Sequence, residues 1–571
     1  MRSTRLALAL LATTVLGVAL VGADAAAANG DAEAYCRKRY LAAPVDRDER
    51  AGGLLQKSAP AGRSFAPSAT GHLTLQGGPP TPAPAAEAAA DVLPPPGPDR
   101  DRYPEADPNP IKRVAETPVS TFSADVDTAS YAVVRRYLAD RGRMPPADAV
   151  RPEELVNAFD YAYPAPDRPE AGFLPDVAVF PAPWNPERRL LRIGVKGYAV
   201  DPENRPPANL VFLLDVSGSM RSADKLPLAK TAICMLTHEL NPDDRIALVV
   251  YAGAAGVVLE PTPAARKSEI LEAMDALEAG GSTAGGAGVE LAYALAEAHF
   301  RAGAANRILL ATDGDFNVGV ADPRQLRDYV ARKRRSGVFL TVLGFGMGNY
   351  SDVMMQSLSQ AGNGVAAYID SVEEAHKVLV RGLTASIITI AKDVKFQVEF
   401  NPARVAEYRL IGYETRLLDR ADFNNDRVDA GDVGAGHTVT ALYEIALAGA
   451  PGQAVDPLRY GARPEVPADV AGEIAVARLR FKTPESEESR LIERPVTDAD
   501  AVDDVAAAPT DARFAAAVAW FAEALRQSPH VPADWAAIRS LADGARGSDA
   551  YADRRRFVGL VETAEKVAAL D

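Results

Sequence analysis

Asn209-Leu210-Val211-Phe212-Leu213-Leu214-Asp215-Val216-Ser217-Gly218-Ser219 is the stretch whose reading decides the fold. Five apolar residues without alternation predict a strand buried on both faces, as in a parallel sheet covered by helices. The polar tail then falls at the carboxyl end of that strand. Working outward, Leu226–Leu240 has helical periodicity, Ile246–Tyr251 reads as a second strand and Val257–Leu259 as a short third. Helices are expected at Ile270–Leu277, Val289–Phe300 and Pro323–Arg334, with strands at Arg307–Ala311 and Val338–Phe345. Tyr350–Gln360, Val365–Ile369 and Val372–Ile390 complete the alternation, the last as one long helical segment. Repeated strand–helix units predict an α/β fold, a doubly wound and mostly parallel sheet over 206–390. Ligands in such sheets bind beyond the carboxyl ends of the strands.

Two further polar clusters belong to that edge. Gly280-Gly281-Ser282-Thr283 opens the helix bearing Val289, and Thr312-Asp313-Gly314-Asp315 ends the strand Arg307–Ala311. Asp215, Ser217, Ser219, Thr283 and Asp313 therefore offer hydroxyl and carboxylate oxygens with no nearby His or Cys. Such a set suits a hard divalent cation, Mg²⁺ first and Mn²⁺ or Ca²⁺ as alternatives, rather than zinc. A ligand shell rich in neutral hydroxyls leaves the ion short of electrons and able to accept a carboxylate from outside. Gly218 and Gly281 are expected to allow the tight turns that aim these oxygens at one point.

These residues resemble the metal-ion-dependent adhesion site of the von Willebrand factor type A (VWA) family: Asp-x-Ser-x-Ser at 215–219, the threonine at 283, and Asp313 in a Thr-Asp-Gly setting. The resemblance implies a Rossmann-like VWA domain that holds a protein partner through its Asp or Glu carboxylate. The flanks resemble those of bacterial YfbK-like envelope proteins. On the N-terminal side the matching segments are Thr121–Tyr131 and Asp148–Glu154; beyond the α/β domain they are Ala391–Val394, Tyr408–Glu414 and Asp429–Asp432. That family implies an exported or envelope-attached protein, often a lipoprotein, and it brings no established reaction.

The flanks are also legible from pattern. Thr121–Val126 alternates like a strand, a helix is expected to Leu138, and Pro152 opens another in a tolerated first-turn position. Strands follow at Asp176–Phe180 and Leu190–Tyr198. After Lys392 period two returns at Val394–Phe400, Tyr408–Tyr413, His437–Leu447 and Glu473–Lys482. These strands are expected to pair with those before Asn209, so that the VWA domain is inserted into a β-rich module. Helices at Asp511–Arg526, Ala533–Ala542 and Arg554–Leu570 end the chain. The domains are thus expected as 1–28 signal peptide, 29–117 disordered Pro/Ala/Gly-rich linker, 118–205 N-terminal flank, 206–390 VWA, 391–505 β-rich C-terminal flank and 506–571 helical region.

Arg2 and Arg5 before the apolar run Leu6–Val21, with small residues to Ala28, read as an export signal, cleaved or kept as an anchor. Periplasm or cell envelope is the expected location, with secretion as an alternative. A net charge of −15 argues against nucleic acid as a partner, because phosphate binding needs a basic face. Only Cys36 and Cys234 exist, so no disulfide framework is expected. Cys234 reads as a buried helical thiol, with a Cys36–Cys234 bridge as the alternative.

Asp422-Phe423-Asn424-Asn425-Asp426 begins like a calcium loop, yet Arg427 and Val433 stand where Gly and Glu are required, so a solvated turn is expected. No Gly-x-Ser-x-Gly elbow surrounds Ser217 or Ser219, and none of the six histidines has a general-base setting, so no enzyme activity is expected. Trp184, Trp520 and Trp535 are read as core residues, and Arg332–Arg335 as a solvated helix end.

Overall fold

The structure, a computed structural model, describes residues 31–41 and 101–570 apart from 106, 125–126, 202–204, 282–284, 315–322, 348–349, 383–384, 386, 429, 457–466, 469 and 485. The export-signal segment and most of the expected linker lie outside the described residues.

A six-stranded sheet forms the centre of the α/β part: β5 (Ala208–Asp215), β6 (Arg245–Tyr251), β7 (Ala255–Pro263), β8 (Ala305–Thr312), β9 (Phe339–Phe345) and β10 (Ala366–Ile369). The spatial order is β10-β9-β8-β5-β6-β7, parallel except for β7, which returns antiparallel to β6. Alternate residues of β5 face opposite cores. Leu210, Phe212 and Leu214 pack with α4 (Leu226–Glu239) and α5 (Lys267–Asp275). Val211 and Leu213 pack with α6 (Gly285–Ala298), α7 (Pro323–Lys333) and α8 (Asp352–Ala361). The chain leaves β5 towards β6 and later returns to lay β8 on its other side. The strand order therefore reverses between β5 and β8, where a doubly wound sheet opens a crevice at its carboxyl ends.

The flanks are built from both sides of this insertion. β1 (Lys112–Arg113), β3 (Asp176–Ala182), β4 (Asn185–Lys196), β12 (Val405–Ile411) and β14 (Thr438–Leu447) form an antiparallel sheet in the order β1-β12-β14-β4-β3. A second sheet runs β13 (Gly431–Gly434), β11 (Thr389–Phe400), β15 (Glu473–Lys482), β16 (Ser489–Thr497), with β2 (Val119–Ser123) also on β11. Phe122 stands opposite Phe396, and Leu191 opposite Tyr443, so strands from before and after the α/β domain pair directly. Val179, Leu191, Ile193, Phe396, Val398 and Leu479 share the core between the two sheets. Ala178, Phe180 and Leu190 face the other way, onto the C-terminal helices α10 (Thr510–Leu525), α11 (Trp535–Gly544) and α12 (Asp553–Ala568), with Trp184 and Trp520 packed there. The chain is thus an α/β doubly wound domain inserted in a β-rich module with a helical C-terminus. Among the described residues no helix is long and apolar enough to cross a membrane.

Three expectations are corrected. Residues 31–40 form a helix, α1, rather than linker. Cys36 is fully buried in a disulfide with Cys234, Tyr40 and Leu41 pack on the same core, and Arg37 and Arg39 pair with Glu373 and Asp275. The described residues of 101–117 are likewise docked: Asp101 Oδ1 accepts the Tyr350 N–H, and Lys112 and Arg113 pair with Tyr408 and Glu407. Finally, Val372–Ile390 is not one helix. A short turn, α9 (Val372–Ala375), passes into a π-turn (His376–Arg381), and β11 has begun by Thr389.

Candidate metal site

Asp215 is the last residue of β5 and fully buried. Its Oδ1 accepts the Ser217 N–H at 2.8 Å, which turns the chain into a 3₁₀ turn over Gly218–Arg221. The Ser217 and Ser219 hydroxyls lie 3.0 Å apart, the first buried and the second exposed. One hydroxyl therefore lies on the floor of the crevice and the other at its mouth.

The second loop is laced to the first. Gly280 N–H donates to Val216 O at 2.8 Å, Gly218 N–H to Gly281 O at 3.0 Å, and Val216 N–H to Tyr251 O. Gly281 has φ +81°, a conformation that needs glycine. Gly218 opens the tight 3₁₀ turn without a positive φ, so that turn does not depend on glycine's special conformations. A Cβ on Gly288 would press on Tyr251 and Leu213, so the glycine run lets α6 sit directly on β5 and β6. Thr283 falls within 282–284, outside the described residues.

Asp313 follows β8 and is buried beside Asp215, whose carboxyl feels its charge. The next residue, Gly314, takes φ +91° and donates its N–H to Thr312 Oγ1. Lys225, one residue before α4, places Nζ 2.8 Å from Asp313 Oδ2. Pattern reading missed this lysine. It sits six residues past Ser219, just before the expected helix Leu226–Leu240, and its partner is 88 residues away.

Burial pushes the Asp215 carboxyl up to about 6, the charge of Asp313 adds to this, and the Ser217 N–H and hydroxyl oppose it. Asp215 Oδ2 is buried without a hydrogen-bond partner of good geometry among the described residues. A buried, anionic, half-satisfied carboxylate is costly by itself. With Asp313 and two hydroxyls nearby, the donor set fits a hard divalent cation.

The other sequence signals resolve simply. Lys395 Nζ donates to Asp422 O at 3.0 Å and Asn425 O at 2.7 Å, so an ammonium already occupies the carbonyls of the calcium-like turn. The Trp184 and Trp520 ring centroids are 5.9 Å apart, and Trp520 Nε1–H donates to Pro532 O. Trp535 lies against the same helical core, partly buried. In the basic run, Lys333 pairs with Glu297 and Arg334 with Asn363.

Comparison with known proteins completes the description. The family model for the "von Willebrand factor type A domain" matches residues 210–315, that for "von Willebrand factor" residues 97–192, and that for "Uncharacterized protein YfbK, C-terminal" residues 385–567. The chain is 44% identical over 496 residues to the uncharacterized protein YfbK of Escherichia coli (strain K12), covering 86% of this chain and 85% of that protein. It is 32% identical over 190 residues to the uncharacterized protein sll0103 of Synechocystis, covering 33% and 44% of the two chains. Among solved structures it is similar to a von Willebrand factor type A protein from Catenulispora acidiphila, with TM-score 0.37 and 17% identity over 67% of this chain and 89% of that one.

Proposed function

The chain belongs to the YfbK family of proteins carrying a VWA domain, and from that premise we propose that it is an exported, non-enzymatic binding protein. In this reading Asp215, Ser217, Ser219, Thr283 and Asp313 hold a divalent cation, Mg²⁺ first, and the cation accepts an Asp or Glu carboxylate from a protein partner. The observation that carries the reading is the buried Asp215, its Oδ2 without a good hydrogen bond among the described residues, at the crevice it shares with Asp313. Each residue has a distinct part. Asp215 and Asp313 supply charge, Ser217 and Ser219 supply neutral oxygens, and the Gly280–Gly281 lacing sets the loop that leads to Thr283. When bound, the cation would supply Lewis acidity toward a carboxylate oxygen.

The Ser217 hydroxyl lies on both Ser219 and the Asp215 carboxyl, which in this reading is a metal ligand and not a general base. The test is thermal unfolding with Mg²⁺ or Mn²⁺ against chelator, followed by a pull-down from the native envelope. A cation-dependent rise in Tm that Asp215→Ala abolishes, with partners lost both on chelation and in Thr283→Ala, is the expected outcome. No cation-dependent shift in the parent protein overturns the reading. Partners retained under chelator would leave a cation-independent scaffold instead.

A further inference from the structure

Lys225 belongs to the candidate site yet lies outside its expected donor set. Its ammonium is 2.8 Å from Asp313 Oδ2, and both side chains are nearly buried. Gly346, at φ +71°, leaves the space in which the lysine stem lies, since a Cβ there would overlap Lys225 Cγ and Cε. The charge is therefore built into the crevice and is not a surface lysine swung inward.

The parts that hold it are traceable to the flanking module. Helix α2 (Ala129–Ala139) packs Ala129, Ala132, Val133 and Tyr137 on the core beneath β8–β10. From α2, Arg136 Nη2 reaches Asp224 Oδ2 at 3.0 Å, and its Nη1 donates to the Tyr368 hydroxyl at 2.6 Å. Asp224 immediately precedes Lys225 and accepts the Ser222 hydroxyl at 2.6 Å, while Lys225 N–H donates to Ser222 O. The Tyr368 hydroxyl in turn donates to the carbonyl of Gly346. One guanidinium thus grips the residue before Lys225 and the tyrosine that fixes the glycine under its stem.

We propose that Lys225 is the resident positive charge of this site, set on Asp313 by a clamp rooted at Arg136, and that it tunes the site toward an acidic partner while weakening its hold on the divalent cation. This rests on the metal-binding reading above. The charges explain the sign. Asp215 and Asp313 together balance a divalent cation, and Ser217 and Ser219 are neutral. Lys225 then leaves the loaded site one positive charge in excess, which a carboxylate neutralises. A unit charge a few ångströms away in a half-buried site changes a dissociation constant by about tenfold or more.

The experiment uses the full chain, with Mn²⁺ as the metal and acetate as the carboxylate probe. Mn²⁺ affinity is read by calorimetry, and acetate binding by the loss of water-proton relaxation at the bound Mn²⁺. Lys225→Met keeps the stem and removes the charge. It is expected to bind Mn²⁺ about tenfold more tightly and acetate about tenfold more weakly. Arg136→Met shifts both constants the same way by less, and adding it to Lys225→Met changes neither further. A general structural defect would weaken both constants, so the opposed signs distinguish the two causes. Lys225→Gln is a second neutral variant should the methionine fail to fold by circular dichroism. If the parent binds Mn²⁺ and the neutral variants leave both constants unchanged, the proposal is overturned while the metal reading stands. If the parent binds no Mn²⁺, both are overturned.

Discussion

Asp215 shows how a single carboxyl can carry both the cost and the use of a site. Its oxygens were legible from the sequence because Asp-x-Ser-x-Ser is local and lies at the end of a buried strand. Lys225 was not, because its role exists only once β5 and β8 are neighbours. At Asp422 the local sequence already excludes a calcium loop through Arg427 and Val433, and Lys395, distant in sequence, takes the carbonyls. In cation-free protein the folded Asp215 carboxyl titrates near 6, against 3.8 ordinarily. The folded state therefore binds more protons between these values. Its contribution to stability is full below about pH 4 and is lost as pH rises through about 6, at a cost of roughly 3 kcal/mol by neutral pH. Asp215→Asn, measured in chelator, should accordingly match the parent near pH 4 and exceed its Tm at pH 7.5. Mg²⁺ should stabilise the parent at pH 7.5 and progressively less below pH 6, because a protonated carboxyl is a poor ligand. Parent and variant with parallel Tm profiles from pH 4 to 8 would remove the buried Asp215, with its raised affinity for a proton, from the account.

At the scale of elements, the strands and helices of the α/β part were legible because each repeats a clear period over its own length. The errors have a common physical origin. Helix α1 stands in a stretch with no apolar period of its own, and what holds it is Cys234, 198 residues away. The π-turn after α9 breaks a pattern whose apolar positions alone extend a helix to Ile390. Strands β1, β13 and β16 are short or half-exposed and carry little periodic signal. The disulfide makes a direct prediction. Closing so long a loop restricts the unfolded chain by up to about 5 kcal/mol in the entropic limit. Only part of that limit is usually realised. Reduction, or Cys36→Ser, should therefore lower Tm modestly and raise amide exchange across 31–41 towards the unprotected limit, with β5 and β8 still protected. Equal exchange in α1 with and without reductant would show that Tyr40, Leu41 and the Arg37 and Arg39 ion pairs suffice to dock it.

At the scale of the whole molecule, the insertion topology was visible in outline: period two before Asn209, alternation to about 390, period two again. What pattern could not supply is how firmly the inserted domain is held. The tie is a buried ionic network that joins the N-terminal flank to α8. Arg151 pairs with Glu154 and, at 2.8 Å, with Asp352. Asp352 also accepts the Tyr350 hydroxyl, and Gln356 donates to both carboxylates. Glu154 further accepts the N–H of Ser130 at the start of α2, the helix that carries Arg136 to the candidate site. Arg151, Glu154 and Asp352 are each under 5% exposed, so no water replaces a lost partner. Arg151→Met leaves two carboxylates buried and uncompensated, at a cost of roughly 3–5 kcal/mol. Adding Glu154→Gln and Asp352→Asn removes those charges and should restore most of the loss. Because the network spans the junction, the single variant should also separate denaturant unfolding into two transitions, the α/β domain no longer melting with its flanks. A single transition at the parent's midpoint in Arg151→Met would mean that apolar packing of α2 alone holds the junction, and that the flank reaches the site through Arg136 without help from Arg151.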